Sequence, residues 1–383
     1  MIASRVDDLF PSGIRAMMTL AAERARQGLP VLRMEAGQPN FPTPPHVIDA
    51  AFEAARNSFT GYTPNTGISS LRSAVAERVN DRNALALGED NVCITSGAVM
   101  GLYLAIMSIV EPGDEVLVPD PGWPNYRSAV AMAGGHSVAY ALRAQDGYRL
   151  RVDDLEQVVS ARTRAVVINS PGNPTGAVLP AERLRELLAF AERHNLFVIS
   201  DEVYEDFVFD GVHASVLMNG LTDRLIMVSG ASKSYSMTGW RLGWLVADTE
   251  VVAAAAKLVE PVASCPSSLS QVAAEAALRG PQDGVTRMRD AYARGAQHVI
   301  DILQPSGLLP VEPTGAFYAL IDVSRGDLTS DAFARRLLAN RGVAVAPGST
   351  FGQRTASMIR ISTACSEDDL LRGCSIIKDF LLT

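Results

Sequence analysis

Short runs of consecutive apolar residues, separated by amphipathic stretches, set the pattern in the middle of the chain. Residues 91–95 (NVCIT), 115–118 (EVLV), 165–169 (AVVIN), 196–200 (LFVIS) and 225–228 (LIMV) are short and rich in Val, Ile and Leu. Such runs fit strands covered on both faces; a strand with one wet face alternates instead. Between the third and fourth run, AERLRELLAFAERH (181–194) repeats its apolar positions every three to four residues and predicts a helix. After the first run a Gly turn leads into an apolar stretch from Ala98 to Val110, long enough for a buried helix and too short to cross a bilayer. Strands alternating with helices predict an α/β architecture: a mostly parallel sheet flanked by helices.

Beyond about residue 280 the texture changes. A long polar helix (281–304) leads to PSGLLPVEPTGAFYALIDV (305–323), then a further helix, the loop APGSTFG, the strand SMIRIS and a terminal helix. This reads as a smaller α+β domain. At the other end, a helix at 13–27 and the Pro-marked loop Gly37–Pro45 are expected to pack on that domain or lie over the cleft. The expected division is therefore 46–280 for the large domain, with 1–45 and 281–383 as the small domain and its N-terminal arm.

Charge and composition remove several function classes. The 383 residues carry 34 Lys and Arg against 42 Asp and Glu, a net charge of −8, and no basic run, which argues against a nucleic-acid-binding surface. Cys93, Cys265, Cys365 and Cys374 lie far apart without a C-x-x-C pair. They form no disulfide framework and point to a reducing, cytoplasmic setting. The scattered histidines offer no H-E-x-x-H spacing, so no metal site is expected. MIASRVDDLF lacks the apolar segment of a secretory signal, and no span crosses a membrane. No G-x-G-x-x-G follows a predicted strand and no G-x-S-x-G occurs, which disfavours dinucleotide-binding and serine-hydrolase readings.

In an open α/β sheet, ligands bind at the carboxyl ends of the strands. The predicted strands deliver there Thr95 to Val99 and a helix start, Asn169 to Gly176 with Asn173, Asp201 to Tyr204, and Ser229 to Lys233 followed by Arg241. One rim thus collects a helix amino terminus, an amide, a carboxylate, a phenol, an ammonium and a guanidinium.

The segments around that rim resemble those of the fold-type I pyridoxal-phosphate (PLP) enzymes, the class I/II aminotransferase family. The matching pieces are AGQPNFPTP (36–44), YTPNTGISSLR (62–72), TSGAVMGL (95–102), NSPGNPTG (169–176), SDEVYEDF (200–207), SKSYSMTGWRLG (232–243) and IRIS (359–362), in family order and spanning nearly the whole chain. The resemblance implies PLP as cofactor, held as a Schiff base by Lys233, which then serves as general base. It implies that Asp201 faces the pyridine nitrogen and keeps the ring an electron sink; capping a helix is the alternative role for that carboxylate. Asn173 and Tyr204 are expected on the phenolic oxygen, and Trp123 on the ring face, although a Trp also serves core or interface packing. The N–H groups of Ala98 and Val99, with Ser232 and Arg241, are expected on the phosphate. Gly230 stands where many relatives have Ser or Thr, which removes one hydroxyl contact. Tyr62 matches a residue that reaches the phosphate of a neighbouring subunit, implying a homodimer with shared active sites. Arg360 and Gly37 are expected at the substrate α-carboxylate, which a planar guanidinium grips by two bonds.

These pieces imply an aminotransferase acting on an amino acid and a 2-oxo acid. A PLP-dependent lyase on the same fold, either a C–S β-lyase or a cyclising α,γ-eliminating enzyme, uses the same residues and is the alternative. The amino donor is left open. The 12–18 segment, the loop after Gly37 and the neighbourhood of Trp123 are expected to select it. Arg15 either meets an acidic side chain or, as the pattern favours, lies on the helix surface.

Overall fold

The computed structural model describes residues 12–326 and 328–382, together with Val6 and Leu9. The segment read as lacking a secretory signal otherwise lies outside the described residues. The main sheet has seven strands: β1 (Val92–Thr95), β2 (Glu115–Asp120), β3 (His136–Ala141), β4 (Thr163–Asn169), β5 (Phe197–Asp201), β6 (Leu225–Gly230) and β7 (Gly243–Ala247). Their spatial order is β1-β7-β6-β5-β4-β2-β3. Only β7 runs against its neighbours, pairing antiparallel with β1 and β6.

Apart from the edge strand β3, the sheet is buried on both faces because its strands carry no polar face. Leu117, Val166, Val198 and Trp244 pack into one layer with Leu71, Val75 and Phe190 from the helices. Val116, Val167, Ile199 and Leu245, their immediate neighbours in sequence, point into the opposite layer with Leu104, Ile106 and Val252. Alternate residues of each strand serve alternate layers. Two strands escape the sequence reading for different reasons. β3 is an edge strand of partly exposed residues and has no continuous apolar run. β7 follows the Arg241 segment directly, so no turn signal announces it.

The reversal of β7 positions the site. Its first residue, Gly243, pairs with Thr95 at the end of β1 and with Gly230 at the end of β6. The segment leading into β7, with Arg241, is thereby brought to the rim where the parallel strands end.

The carboxy-terminal part forms a three-stranded antiparallel sheet in which β9 (Met358–Ser362) lies between β8 (Tyr318–Asp322) and Ala346–Pro347. Leu32–Arg33 pairs in parallel with Val343–Ala344. A separate hydrophobic cluster joins Met17, Ala21 and Met34 to Val299, Leu337, Val343, Ile359, Ile361 and Ile377. The helix Gly13–Arg26 thus packs against the last third of the chain. Among the described residues, no helix is long and apolar enough to cross a membrane.

Candidate active site

A cleft of about 580 Å³ opens where the strand ends meet the helix Gly13–Arg26 and the β8–β9 sheet. Gly37, Ala98, Val99, Trp123, Asn173, Asp201, Tyr204, Ser232, Lys233, Arg241 and Arg360 all line it. Every site residue named from the sequence is there except Tyr62, which is 91% exposed and outside the cleft.

Strand endings build the inner wall. Asp201 closes β5, and its carboxylate accepts from the Tyr126 hydroxyl at 2.8 Å and from the Val203 N–H at 3.3 Å. Burial pushes its pKa up to about 6, while the Tyr126 and Val203 bonds and the nearby Lys233 charge restrain the rise. Asp201 caps no helix; its oxygens accept from Tyr126 and Val203 and keep lone pairs for a further donor. The neighbouring Glu202 turns away from the cleft, accepting from Ser200, His213 and Val216.

Lys233 lies in the short helix Ala231–Ser234 that begins as β6 ends. Its ammonium donates to the Gly37 carbonyl at 2.6 Å. Burial pulls its pKa down to about 8, Arg360 adds to the fall, and Asp201 opposes it. An amine that is half neutral near pH 8 is an available nucleophile and base.

Opposite them, Arg360 projects from β9 and is 1% exposed. One terminal nitrogen donates to Asn173 Oδ1 at 2.9 Å and the other to the Glu35 carbonyl at 2.6 Å. The guanidinium is sandwiched between the rings of Tyr318 and Phe351, 4.4 and 4.8 Å from their centroids. Its Nε is buried without a partner. A guanidinium held this rigidly, with N–H donors to spare, suits an incoming carboxylate.

The remaining wall is built for an anion. The helix Ala98–Ile109 starts with no side-chain cap and no acid in its first turn, so its amino-terminal N–H groups stay available. Gly97 precedes it at φ +86°, and a Cβ there would lie 2.6 Å from an Arg241 nitrogen. The positive φ favours glycine there. Arg241 is held by the Thr238 carbonyl at 2.8 Å, and Ser232 adds a hydroxyl. At position 230 the structure supplies the reason for glycine: a Cβ would sit 2.8 Å from the Gly243 Cα across the β6–β7 pair.

Three residues join the site that the sequence reading passed over. Tyr126 orients Asp201. Tyr318 bonds Tyr204 through their hydroxyls at 2.7 Å, stacks on Arg360 and presses its hydroxyl against Gly37. Asn169 accepts from the Asn173 N–H at 2.8 Å and donates to the Asp201 carbonyl at 2.9 Å, so it joins two strand ends. Tyr126 and Asn169 lie within segments already singled out, in PGWPNY and NSPGNPTG, whereas Tyr318 had only its place between a Gly turn and a strand.

Residues 30–377 match the family described as aminotransferase class I and II. The chain belongs to that family. It is 36% identical to the aspartate aminotransferase of Bacillus sp. (strain YM-2), over 96% of this chain and 95% of that one. It is 38% identical to aromatic-amino-acid aminotransferase 2 of Thermococcus litoralis, again over 96% and 95%. Among solved structures, the aspartate aminotransferase from Thermus thermophilus with maleate superposes with a TM-score of 0.94 at 35% identity, covering 99% of each chain. These relatives carry aminotransferase names, which supports that activity over a lyase for the family site described above.

Proposed function

We propose that the protein is a PLP-dependent aminotransferase that takes the amino group from an amino acid and delivers it to a 2-oxo acid. The observation that carries this reading is one cleft holding an amine whose pKa burial lowers (Lys233), a buried carboxylate (Asp201), an uncapped helix amino terminus with Arg241, and a sandwiched Arg360 with an unspent donor.

The donor set fits the cofactor. Ala98 and Val99 N–H, Ser232 and Arg241 would hold its phosphate. Asp201 would meet the ring nitrogen, Trp123 the ring face, and Tyr204 with the Asn173 side-chain N–H groups the phenolic oxygen. Bound there, PLP supplies an aldehyde that takes up amino groups and a ring that withdraws electrons from the substrate Cα.

The chain's own residues do the rest. Arg360, with Gly37 beside it, binds the α-carboxylate and fixes the Cα–H bond relative to Lys233. Lys233, in its neutral form, lifts the Cα proton and holds it on Nζ for the carbon that would receive the amino group. Asp201 keeps a negative charge at the back of the cleft because Tyr126 and Val203 donate to it. Tyr318 holds Tyr204 and Arg360 in register, so carboxylate binding and the phenolic-oxygen contact share one support.

The same reading makes the protein a cytoplasmic homodimer with Tyr62 serving the partner's phosphate. Support comes from Tyr62, Phe59 and Val262, three exposed side chains with apolar surface. Their segments adjoin through bonds from Ser268 to the Phe59 carbonyl and from Asn65 to Glu260. The four cysteines are free thiols, as a reducing compartment keeps them.

A half-reaction tests the reaction type. An amino acid added alone converts the bound cofactor to its amine form once per site and then stops, and a 2-oxo acid restarts the cycle. Continuous release of ammonia and pyruvate, or of a cyclised product, without any 2-oxo acid would refute transamination.

A further inference from the structure

Arg360 is buried, and its two hydrogen-bond acceptors are both neutral: the Asn173 amide oxygen and the Glu35 carbonyl. Among the described residues no carboxylate pairs with its guanidinium. A buried cation without a counter-charge is unfavourable. Burial lowers the Arg360 pKa, and Tyr318, Tyr204 and Glu35 oppose the fall. Burial also keeps both of those phenols protonated, which leaves Glu35 as the source of negative charge.

The backbone at Glu35 is laced to the strand that carries Arg360. The Met34 N–H donates to the Ala344 carbonyl at 3.0 Å, and the Met34 carbonyl accepts from Ser362, at the end of β9, at 2.8 Å. The Glu35 carbonyl then takes an Arg360 N–H at 2.6 Å. The Glu35 side chain is fully buried and does not line the cleft. One carboxylate oxygen accepts from Arg33 Nε at 2.6 Å and Nη2 at 2.5 Å, and the other is buried with no hydrogen-bond partner. Other buried acids use both oxygens: Glu202 on Ser200, His213 and Val216, and Glu205 and Asp206 on Arg78 and Arg82. A half-paired buried carboxylate does not favour the fold by itself. What it supplies is a negative charge beside Arg360.

Charges therefore alternate through residues in contact, from buried Arg360 through Glu35 to the partly exposed Arg33. A substrate α-carboxylate at Arg360 extends the series with a further negative charge. Glu35 opposes it, and Arg33 offsets part of that opposition. On the aminotransferase reading, which places the α-carboxylate at Arg360, we propose that the Arg33–Glu35 pair sets the strength of the grip. The Glu35 carbonyl holds the guanidinium in place while its carboxylate weakens the binding of the α-carboxylate, and Arg33 limits the weakening. Transamination releases an α-carboxylate product in each half of its cycle, and a tempered grip on a group that does not react favours that release.

The test uses the PLP-loaded protein and 2-methylalanine, which has no Cα proton to lose, together with its carboxamide. Dissociation constants at pH 8 are read from the cofactor absorbance, and the acid-over-amide preference is compared between variants. In Glu35→Gln the preference should rise about threefold to tenfold, the scale of a charge acting without direct contact. A merely structural role would lower it, because a disturbed Arg360 binds carboxylate less well. In Arg33→Gln, which leaves Glu35 uncompensated, the preference should fall. A preference that falls or stays unchanged in Glu35→Gln overturns the proposal. Should Glu35→Gln not fold, the more exposed Arg33 position decides: a fall in Arg33→Gln supports the proposal, and no change or a rise overturns it. Arg360→Gln separates this outcome from a failure of the underlying reading. If wild type shows no preference for the acid, or Arg360→Gln keeps it, the α-carboxylate site is not at Arg360 and the proposal falls with it. If Arg360→Gln abolishes the preference and Glu35→Gln does not raise it, the proposal alone is wrong.

Discussion

Replacing Asp201 by Asn separates what this carboxylate does for chemistry from what it does to the fold. The side chain is 5% exposed, and its burial raises the pKa from 3.8 to about 6. The folded state therefore holds the Asp201 proton more tightly than the unfolded chain does. The resulting destabilisation is absent below the unfolded pKa, grows between the two values, and is complete above the folded one. A shift of this size corresponds to roughly 3 kcal/mol. Asparagine removes the charge and keeps the shape. Its amide oxygen can accept from the Val203 N–H, and its NH2 can donate to the Tyr126 hydroxyl, which both donates and accepts. The attraction to Lys233 is already contained in the folded pKa of about 6, so what Asn loses is the better hydrogen-bond geometry of the carboxylate. The cofactor-free Asp201→Asn protein should then be more stable than cofactor-free wild type by about 2 kcal/mol at pH 8. The advantage should shrink as the pH falls through 6 toward 4. Urea denaturation at several pH values measures it, with activity and cofactor retention lower in the variant. A variant less stable than wild type at pH 8, or an advantage that grows on acidification, would refute the reasoning.

Borohydride reduction of the loaded protein should fix the cofactor on the peptide that carries Lys233. Lys233→Ala should retain bound cofactor but lose at least ~10³-fold in rate, as expected when nucleophile and base vanish together; an adduct mapped to another lysine would overturn the assignment. Tyr62→Phe and Lys233→Ala subunits, each nearly inactive alone, should regain part of the activity when mixed, because a heterodimer holds one site without either defect. No recovery after verified subunit exchange would mean that Tyr62 does not act across an interface.

Much of the scaffold was written locally. Apolar runs such as AVVIN and LIMV can be buried only on both faces, and that requirement alone yields a helix-covered sheet and its active rim. Lys233, Asp201 and Asn173 were legible because each ends a strand or follows one closely, where the fold itself presents side chains to a ligand. Other features were decided by the tertiary structure, because the partners are distant in sequence. Edge strand β3 has no continuous apolar run, and β7 is set by its two neighbours, whose pairing also explains Gly230 through the approach of Gly243. Tyr318 looked like an ordinary strand residue until folding placed it between Tyr204 and Arg360, 114 positions from the former. Periodicity favoured the helix surface for Arg15. It is indeed exposed, but the packing of its helix against the β8–β9 sheet brings that part of the surface to the cleft, and a helical pattern records which positions are polar without recording what the polar face will meet.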